Sequence, residues 1–384
     1  MILENPYIKN CYSSTFSVLF DDFNWKSGIK FIHSLIQYPE WRPSIDVLQY
    51  VWNLEELKND PNLYFVFDAS TEGFCPFKNF FFHNLYYACD KHQINPRKII
   101  FVSANMQDKK NIEDYNRKNN IKQSIKVFCF LSFKKMIHDM IENDYDFGDD
   151  SQRALEHFRF RCFEKYKGTQ GLSLSRVNRE HRILANFLLY QKGLSQNFVV
   201  SQDKITHDEK NFIKKHFGLG KNFDAWARTL PKIADTTDFE TNHALQLSPG
   251  LHNSTLFQIV NETHADNFDN TSLFYSEKTF RSMGHMQPFV IFGQQHCNKR
   301  LEDFGFKLFR TEFDYEFDAI ENTRDRYQEL LKTVDNLVKY LDSLPLHKQV
   351  EWRFSQAEVL RHNFELLMDI NYYKTDFEAL IQEL

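Results

Sequence analysis

The sequence predicts an α/β protein built from two parallel-sheet layers followed by a helical tail. Three observations predict it. Short apolar runs alternate with helical segments in the first 130 residues, that alternation restarts after Gly168, and from Ile320 onward the pattern is helical throughout.

The strands of the first half are Leu63 to Phe67, Lys98 to Val102 and Ile125 to Phe130, each apolar enough for a parallel strand covered on both faces. Aromatic residues cluster from Phe16 to Phe23, and Ile29 to Ile36 has helical spacing. Helices are expected through Phe80 to Cys89 and through Tyr115. The acidic stretch Glu142, Asp144, Asp146, Asp149 and Asp150 reads as a solvated break. In the second half, strands are expected at Leu172 to Leu174, Phe198 to Val200, Leu256 to Val260, Phe289 to Phe292 and Lys307 to Phe309. Helices are expected at Arg179 to Gln191 and Asp208 to Phe217, and another ends near Leu301. In the tail, Leu330, Leu331, Val334, Leu337, Val338 and Leu341 recur at helical spacing along one face. The expected organisation is therefore residues 1–155, residues 165–320 and a tail over 321–384.

Composition excludes several classes. Twelve glycines in 384 residues are fewer than half the number expected at an average of roughly 7%. Neither a dinucleotide fingerprint nor a P-loop is present. The six cysteines never form a CxxC pair, which fits reduced thiols and excludes a zinc ribbon. The start of the chain has no signal-peptide pattern, and no run reaches the roughly 18 apolar residues of a membrane span, so a cytoplasmic protein is expected. A formal charge of −5 means that any nucleic-acid contact must use a local patch. The runs available are Lys109-Lys110 with Arg117-Lys118, Lys122 and Lys126, and separately Lys134-Lys135, all of which also read as solvated helix faces. Asp144-Tyr145-Asp146 has the letters of a metal-binding Asp-x-Asp but follows a helix, no His–carboxylate metal set stands out, and no GxSxG elbow occurs.

The most informative stretch is Ser276-Glu277-Lys278-Thr279-Phe280-Arg281. Ser276 is a good N-cap, and the helix start behind it, flanked by Lys278 and Arg281, is a natural seat for a phosphate. An ordinary surface cap has the same letters. Asp68, Glu72 and Glu262 lie, like this stretch, near the carboxyl ends of predicted strands, where open α/β sheets bind ligands.

Two segments together carry a family resemblance. One is Leu172-Ser-Leu-Ser-Arg176-Val-Asn-Arg179-Glu-His181-Arg182. The other is Val260-Asn261-Glu262-Thr263, then Ser276 to Phe280, then Pro288-Phe289 to Gly293, then Leu301 to Phe306. Their order, over about residues 165–330, resembles the second half of nucleotide-sugar glycosyltransferases of the two-domain GT-B arrangement. It is particularly like a bacteriophage and bacterial group, and more distantly like the fucosyltransferases. The resemblance implies two Rossmann-like domains facing across a cleft, with acceptor bound by the first, donor by the second, and no metal or other cofactor required. It also implies that Arg176 or Arg179, together with Lys278, neutralises the donor diphosphate, and that Arg182, Ser276 and Thr279 belong to the same donor site. Glu262 or Glu277 would accept hydrogen bonds from ribose or sugar hydroxyls. Phe280 reads as core, and His181 as a core or cap histidine or a phosphate contact. Gln294-Gln295-His296-Cys297 departs from the small residues expected after Gly293. An inverting transfer needs a general base, for which Asp68 and Glu72 are the candidates, with Asp68 supporting a turn and Glu72 as base. The bacteriophage likeness points to 5-hydroxymethylcytosine in phage DNA as acceptor, within the host cytoplasm. A surface-glycan precursor and a non-catalytic nucleotide-binding protein are the alternatives.

Overall fold

The computed structural model describes residues 2–4, 30–35, 48, 53–70, 81–175, 177–234, 249–265 and 272–384. They form a five-stranded and a four-stranded sheet, both wholly parallel. The chain divides into two compact units. Unit 1 is Met1–Lys135 with Asn267–Tyr275 and Ile370–Leu384, and unit 2 is Met136–Asp266 with Ser276–Asp369. The units are thus discontinuous in sequence, unlike the contiguous stretches expected. Residues 136–155 belong to unit 2, and the end of the tail returns to unit 1.

In unit 1 the strands β1 (Ile2–Glu4), β2 (Lys30–Leu35), β3 (Leu63–Ala69), β4 (Ile99–Ser103) and β5 (Lys126–Cys129) lie side by side in chain order. β3 and β4 are buried along their whole length, as strands covered on both faces must be. Helices α1 (Leu54–Asn59), α2 (Phe81–His92) and α3 (Asp108–Lys118) connect them, and α4 (Ser132–Asp144) follows β5. Rings fill this core, with Phe81 packed on Phe101 at 5.1 Å and Phe65 edge-on to Phe67 at 4.6 Å. The helical reading of Ile29 to Ile36 is corrected: pairing with β1 and β3 on both sides makes Lys30–Leu35 a strand. A few apolar residues at helical spacing do not outweigh two ladders of backbone hydrogen bonds.

Most of α4 belongs to unit 2, where it is followed by α5 (Ser151–Lys165), capped by Asp150, which accepts from the N–H groups of Gln152 and Arg153. Then come β6 (Gly171–Leu174), α6 (Glu180–Gln191), β7 (Phe198–Ser201), α7 (His207–Phe217), α8 (Lys221–Ala227), α9 (Pro249–Asn253) and β8 (Phe257–Asn261). α10 (Glu277–Gly284), β9 (Phe289–Phe292) and α11 (Cys297–Asp303) complete the α/β part, with α12 (Thr323–Asp342), α13 (Leu346–Ser355) and α14 (Ala357–Met368) after them. The apolar face predicted for the tail is buried along α12, and Tyr327 packs edge-on against Phe292 at 4.4 Å. Arg353 on α13, wholly buried, donates to the carbonyls of His252, Thr255 and His285 at 2.6 to 2.7 Å. Lys307 to Phe309 is no strand; Asn363 on α14 takes the N–H of Lys307 and donates to its carbonyl, in place of a ladder partner. The last helix, α15 (Lys374–Gln382), lies in unit 1, where Phe377 meets Phe128 edge-on at 5.8 Å. No described helix is long and apolar enough to cross a membrane.

Candidate anion site at the switch point of the second sheet

The sheet of unit 2 runs in the order β7-β6-β8-β9. From β6 the chain moves outward to β7, then returns to place β8 on the other side of β6. The topological switch point therefore lies between β6 and β8, and ligands of open parallel sheets bind beyond the carboxyl ends there. The β6–β8 ladder holds only two residue pairs, Gly171 with Phe257 and Leu172 with Gln258. Past them side chains take over: Asn261 Nδ2 donates to the hydroxyls of Ser173 at 2.9 Å and Ser175 at 2.8 Å.

Glu262, the residue after β8, organises this end of the sheet. Its carbonyl oxygen accepts from His181 Nε2 at 2.8 Å and Arg182 Nε at 3.2 Å, both in the first turn of α6. Its carboxylate accepts from Thr263 N at 2.9 Å, Ser276 N at 3.1 and 3.2 Å, Ser276 Oγ at 2.7 Å and Thr279 Oγ1 at 2.6 Å. Four donors match the lone-pair sites of a carboxylate, and the residue is 1% exposed. Glu262 and Thr279 are thus engaged with each other, and no oxygen of Glu262 is left over for a sugar hydroxyl. The reading of Glu262 as a hydroxyl acceptor is corrected on that ground.

Ser276 caps α10 as its letters predict, accepting from Lys278 N at 3.4 Å. The N–H groups at this helix start, however, meet groups of the protein itself. Ser276 N–H goes to Glu262 and Lys278 N–H to Ser276 Oγ. The positive end of the α10 dipole is therefore already facing a carboxylate.

Side-chain cations gather at this end of the sheet. Arg182, 4% exposed, reaches Thr263 Oγ1 at 3.5 Å as well as the Glu262 carbonyl. Arg179, exposed at the N-cap of α6, donates to the Thr263 carbonyl at 3.1 Å. Lys278 Nζ pairs with Glu277 Oε1 at 2.6 Å and touches Ser276 Oγ at 3.2 Å. Burial and the neighbouring Arg179 pull Arg182 down to about 10, and burial lowers Lys278. Burial alone would raise Glu277, but Lys278 and Arg281 outweigh it and hold its carboxyl at about 2. His181 is held neutral, far below its usual range, by burial and by Arg182, and its bond to the Glu262 carbonyl puts the proton on Nε2. Phe280 is core, packed on Phe306. Arg179, Arg182, Lys278 and Arg281 face Glu262 and Glu277, an excess of positive charge suited to an anion carrying more than one charge.

The structure does not gather every expected residue here. Arg176 and Glu72 lie outside the described residues. Asp68 belongs to unit 1, inside β3 rather than on the loop after it, fully buried, with Oδ1 accepting from Ser70 N at 2.9 Å. Asp318 and Arg326 escaped sequence reading. Asp318 caps α11 across 20 residues, accepting from Asn298 N at 3.2 Å and Lys299 N at 3.0 Å. Arg326 donates to the carbonyls of Ala265 at 2.6 Å and Gly293 at 3.0 Å. Neither has a local sequence signal, because each acts on a segment distant in the chain. At Gly293 itself an added Cβ would stand 3.3 Å from Glu262 Cβ and 3.2 Å from Cys297 Sγ, which accounts for glycine there.

Two other features stand apart from the cluster. His138, Asp139 and Glu142 on α4 form a group that could hold a metal ion, although the His138 ring already meets Asp139 at 2.9 Å and Glu142 at 3.6 Å. A cavity of about 770 Å³ in unit 1 is rimmed by Arg97, Lys109, Lys122 and Lys126 together with Asp376 and Glu383. Lys134 and Lys135, expected to be solvated, are buried, and the Lys134 ammonium lies over the rings of Tyr372 and Tyr373.

No protein-family model matches this chain, and no curated protein matches its sequence. Among solved structures it is similar to a UDP-forming α,α-trehalose-phosphate synthase from Burkholderia vietnamiensis. That likeness has a TM-score of 0.45 and 8% identity, over 96% of this chain and 78% of the other. The corresponding enzyme from Burkholderia xenovorans gives a TM-score of 0.42 and 9% identity over 92% and 73%. A glycosyltransferase from Rickettsia africae gives 0.40 and 12% over 98% and 84%.

Proposed function

We propose that this protein is a nucleotide-sugar-dependent glycosyltransferase whose donor diphosphate binds the cations of unit 2. The observation that supports this most is the gathering of Arg179, Arg182 and Lys278 at the switch point between β6 and β8. A diphosphate leaving group gains negative charge as the glycosidic bond breaks, and fixed cations stabilise that charge more in the transition state than in the ground state. Two arginines and a lysine provide this charge themselves, so the reading requires no divalent metal and no other cofactor. Arg176 is assigned to the same task from the sequence. Glu262, Ser276 and Thr279 hold the lysine-bearing helix in place. Glu72 is assigned as the base that deprotonates the acceptor hydroxyl, with Asp68 supporting the turn before it.

The acceptor we propose is 5-hydroxymethylcytosine in bacteriophage DNA, modified in the host cytoplasm. The resemblance to bacteriophage enzymes supports it, as do the exposed cations Lys109, Lys110, Arg117, Lys118 and Lys122 on and after α3. The donor half is tested by thermal unfolding with a panel of nucleoside diphosphates. One of them should raise the melting temperature, and Lys278→Ala and Arg179→Ala should each reduce that rise. A rise that is unchanged in both variants overturns the assignment.

A further inference from the structure

We propose that Glu277 is the built-in counter-ion of the cation cluster and sets a binding threshold that a diphosphate clears and a single phosphate does not. The inference rests on the reading of this cluster as an anion site. The cluster contains two carboxylates of very different standing. Glu262 is fixed by four donors and cannot leave without orphaning them. Glu277 is held through Lys278 Nζ at 2.6 Å, with Arg281 nearby. Its side chain is 14% exposed and that of Lys278 is 22% exposed, so solvent and solutes reach the pair.

An anion approaching Lys278 therefore meets a carboxylate already on the same nitrogen. The carboxylate must swing aside or remain as a like charge within about 4 Å. Protonation does not relieve the conflict near neutral pH, because Glu277 is held at about 2. The cost is common to every anion, so only a ligand that also engages Arg179 or Arg182 outweighs it. A diphosphate spans such contacts, whereas one phosphate group replaces the carboxylate with little gain.

Isothermal titration of the full chain with inorganic pyrophosphate and inorganic phosphate tests this. Wild type should bind pyrophosphate and discriminate against phosphate. Glu277→Gln, nearly isosteric and uncharged, should tighten pyrophosphate roughly tenfold and gain measurable phosphate binding. Should that variant fail to fold, Glu277→Ser, well suited to a first helical turn, serves for the same comparison. Pyrophosphate binding by the uncharged variant alone overturns the proposal, because a wild type that binds neither anion selects neither, while leaving the anion site standing. Equal or weaker binding by the uncharged variant overturns it while leaving the anion site standing, and so does wild-type binding of phosphate as tight as that of pyrophosphate. Binding by neither protein overturns the inference and the donor-site reading together.

Discussion

Ser276 gives both its N–H and its hydroxyl to the Glu262 carboxylate, the hydroxyl at 2.7 Å. Through that pair the end of β8 is tied to the start of α10, while the carbonyl of the same Glu262 holds Arg182 of α6. One residue thus sets the separation between the cations of two helices. A carboxylate used in this way occupies the helix start itself, so that any anion recognised here would have to meet side chains.

Replacing Glu262 should therefore cost stability before it costs affinity. Glu262→Ala leaves the buried Ser276 N–H and the buried hydroxyls of Ser276 and Thr279 without their acceptor, and the half-buried Thr263 N–H as well. The expected loss is about 3 kcal/mol or more, measured by urea unfolding of unit 2 with a probe such as Trp226 fluorescence. A loss below about 1 kcal/mol would show that the network is not carrying that load.

How far this was legible in the sequence depends on the range of the interactions. The strands Leu63–Ala69, Ile99–Ser103 and Phe289–Phe292 follow from short apolar runs, and the cap at Ser276 from its own letters and those after it. These are local properties. The strand at Lys30–Leu35 was hidden because its neighbours in the sheet, not its own spacing, decide it. The same holds for the site. Lys278, Arg179 and Arg182 could be singled out, but that the Glu262 carboxylate would be consumed by Ser276 and Thr279 depends on a fold-level approach across 14 and 17 residues. Asp318 and Arg326 were invisible for that reason, and Lys134 looked solvated although two tyrosine rings from the chain's far end cover it.

Acid should weaken unit 2 well before its carboxylates protonate. His252 is buried, stacked on His285 at 4.3 Å, and donates from Nδ1 to Gln287 Oε1 at 2.7 Å. Burial, with Arg281 and Arg353 adding to it, depresses its pKa from 6.5 to about 3, and His181 is depressed in the same direction. The folded pKa lies below the unfolded one, so the neutral ring's stability is present above pH 6.5 and lost as pH falls toward 3. Each such histidine contributes a slope of about 1.4 kcal/mol per pH unit below that point. Urea unfolding at pH 7.5, 6.5, 5.5 and 4.5 should show the decline, and His252→Gln should make it shallower. An unchanged slope in that variant would place the dependence elsewhere.

The two acidic residues assigned to unit 1 should separate by phenotype. Asp68 is fully buried with Oδ1 on Ser70 N–H, so Asp68→Ala should lower stability by about 1–2 kcal/mol. Glu72→Gln should leave the melting temperature within a degree or two and lower kcat by about 10²-fold or more, the usual contribution of a general base. If Glu72→Gln retains full turnover, the base lies elsewhere.

The DNA acceptor makes a prediction about salt. With an overall charge of −5, attraction to duplex phosphates must come from a local face, and α3 with the turn after it presents exposed Lys109, Lys110, Arg117, Lys118 and Lys122. Retention on hydroxymethylcytosine-containing duplex DNA should fall steeply between 50 and 200 mM salt, because each phosphate contact releases a bound counterion. Reversing Lys110 and Lys118 to Glu should weaken retention and flatten the salt slope by about one per lost contact. Lys134→Gln is the informative contrast, since that ammonium is buried over Tyr372 and Tyr373 and should alter stability, leaving the salt slope intact. Retention that is weak at every salt concentration and indifferent to Lys110 and Lys118 would exclude DNA as acceptor and leave a soluble or glycan hydroxyl as the recipient of the sugar.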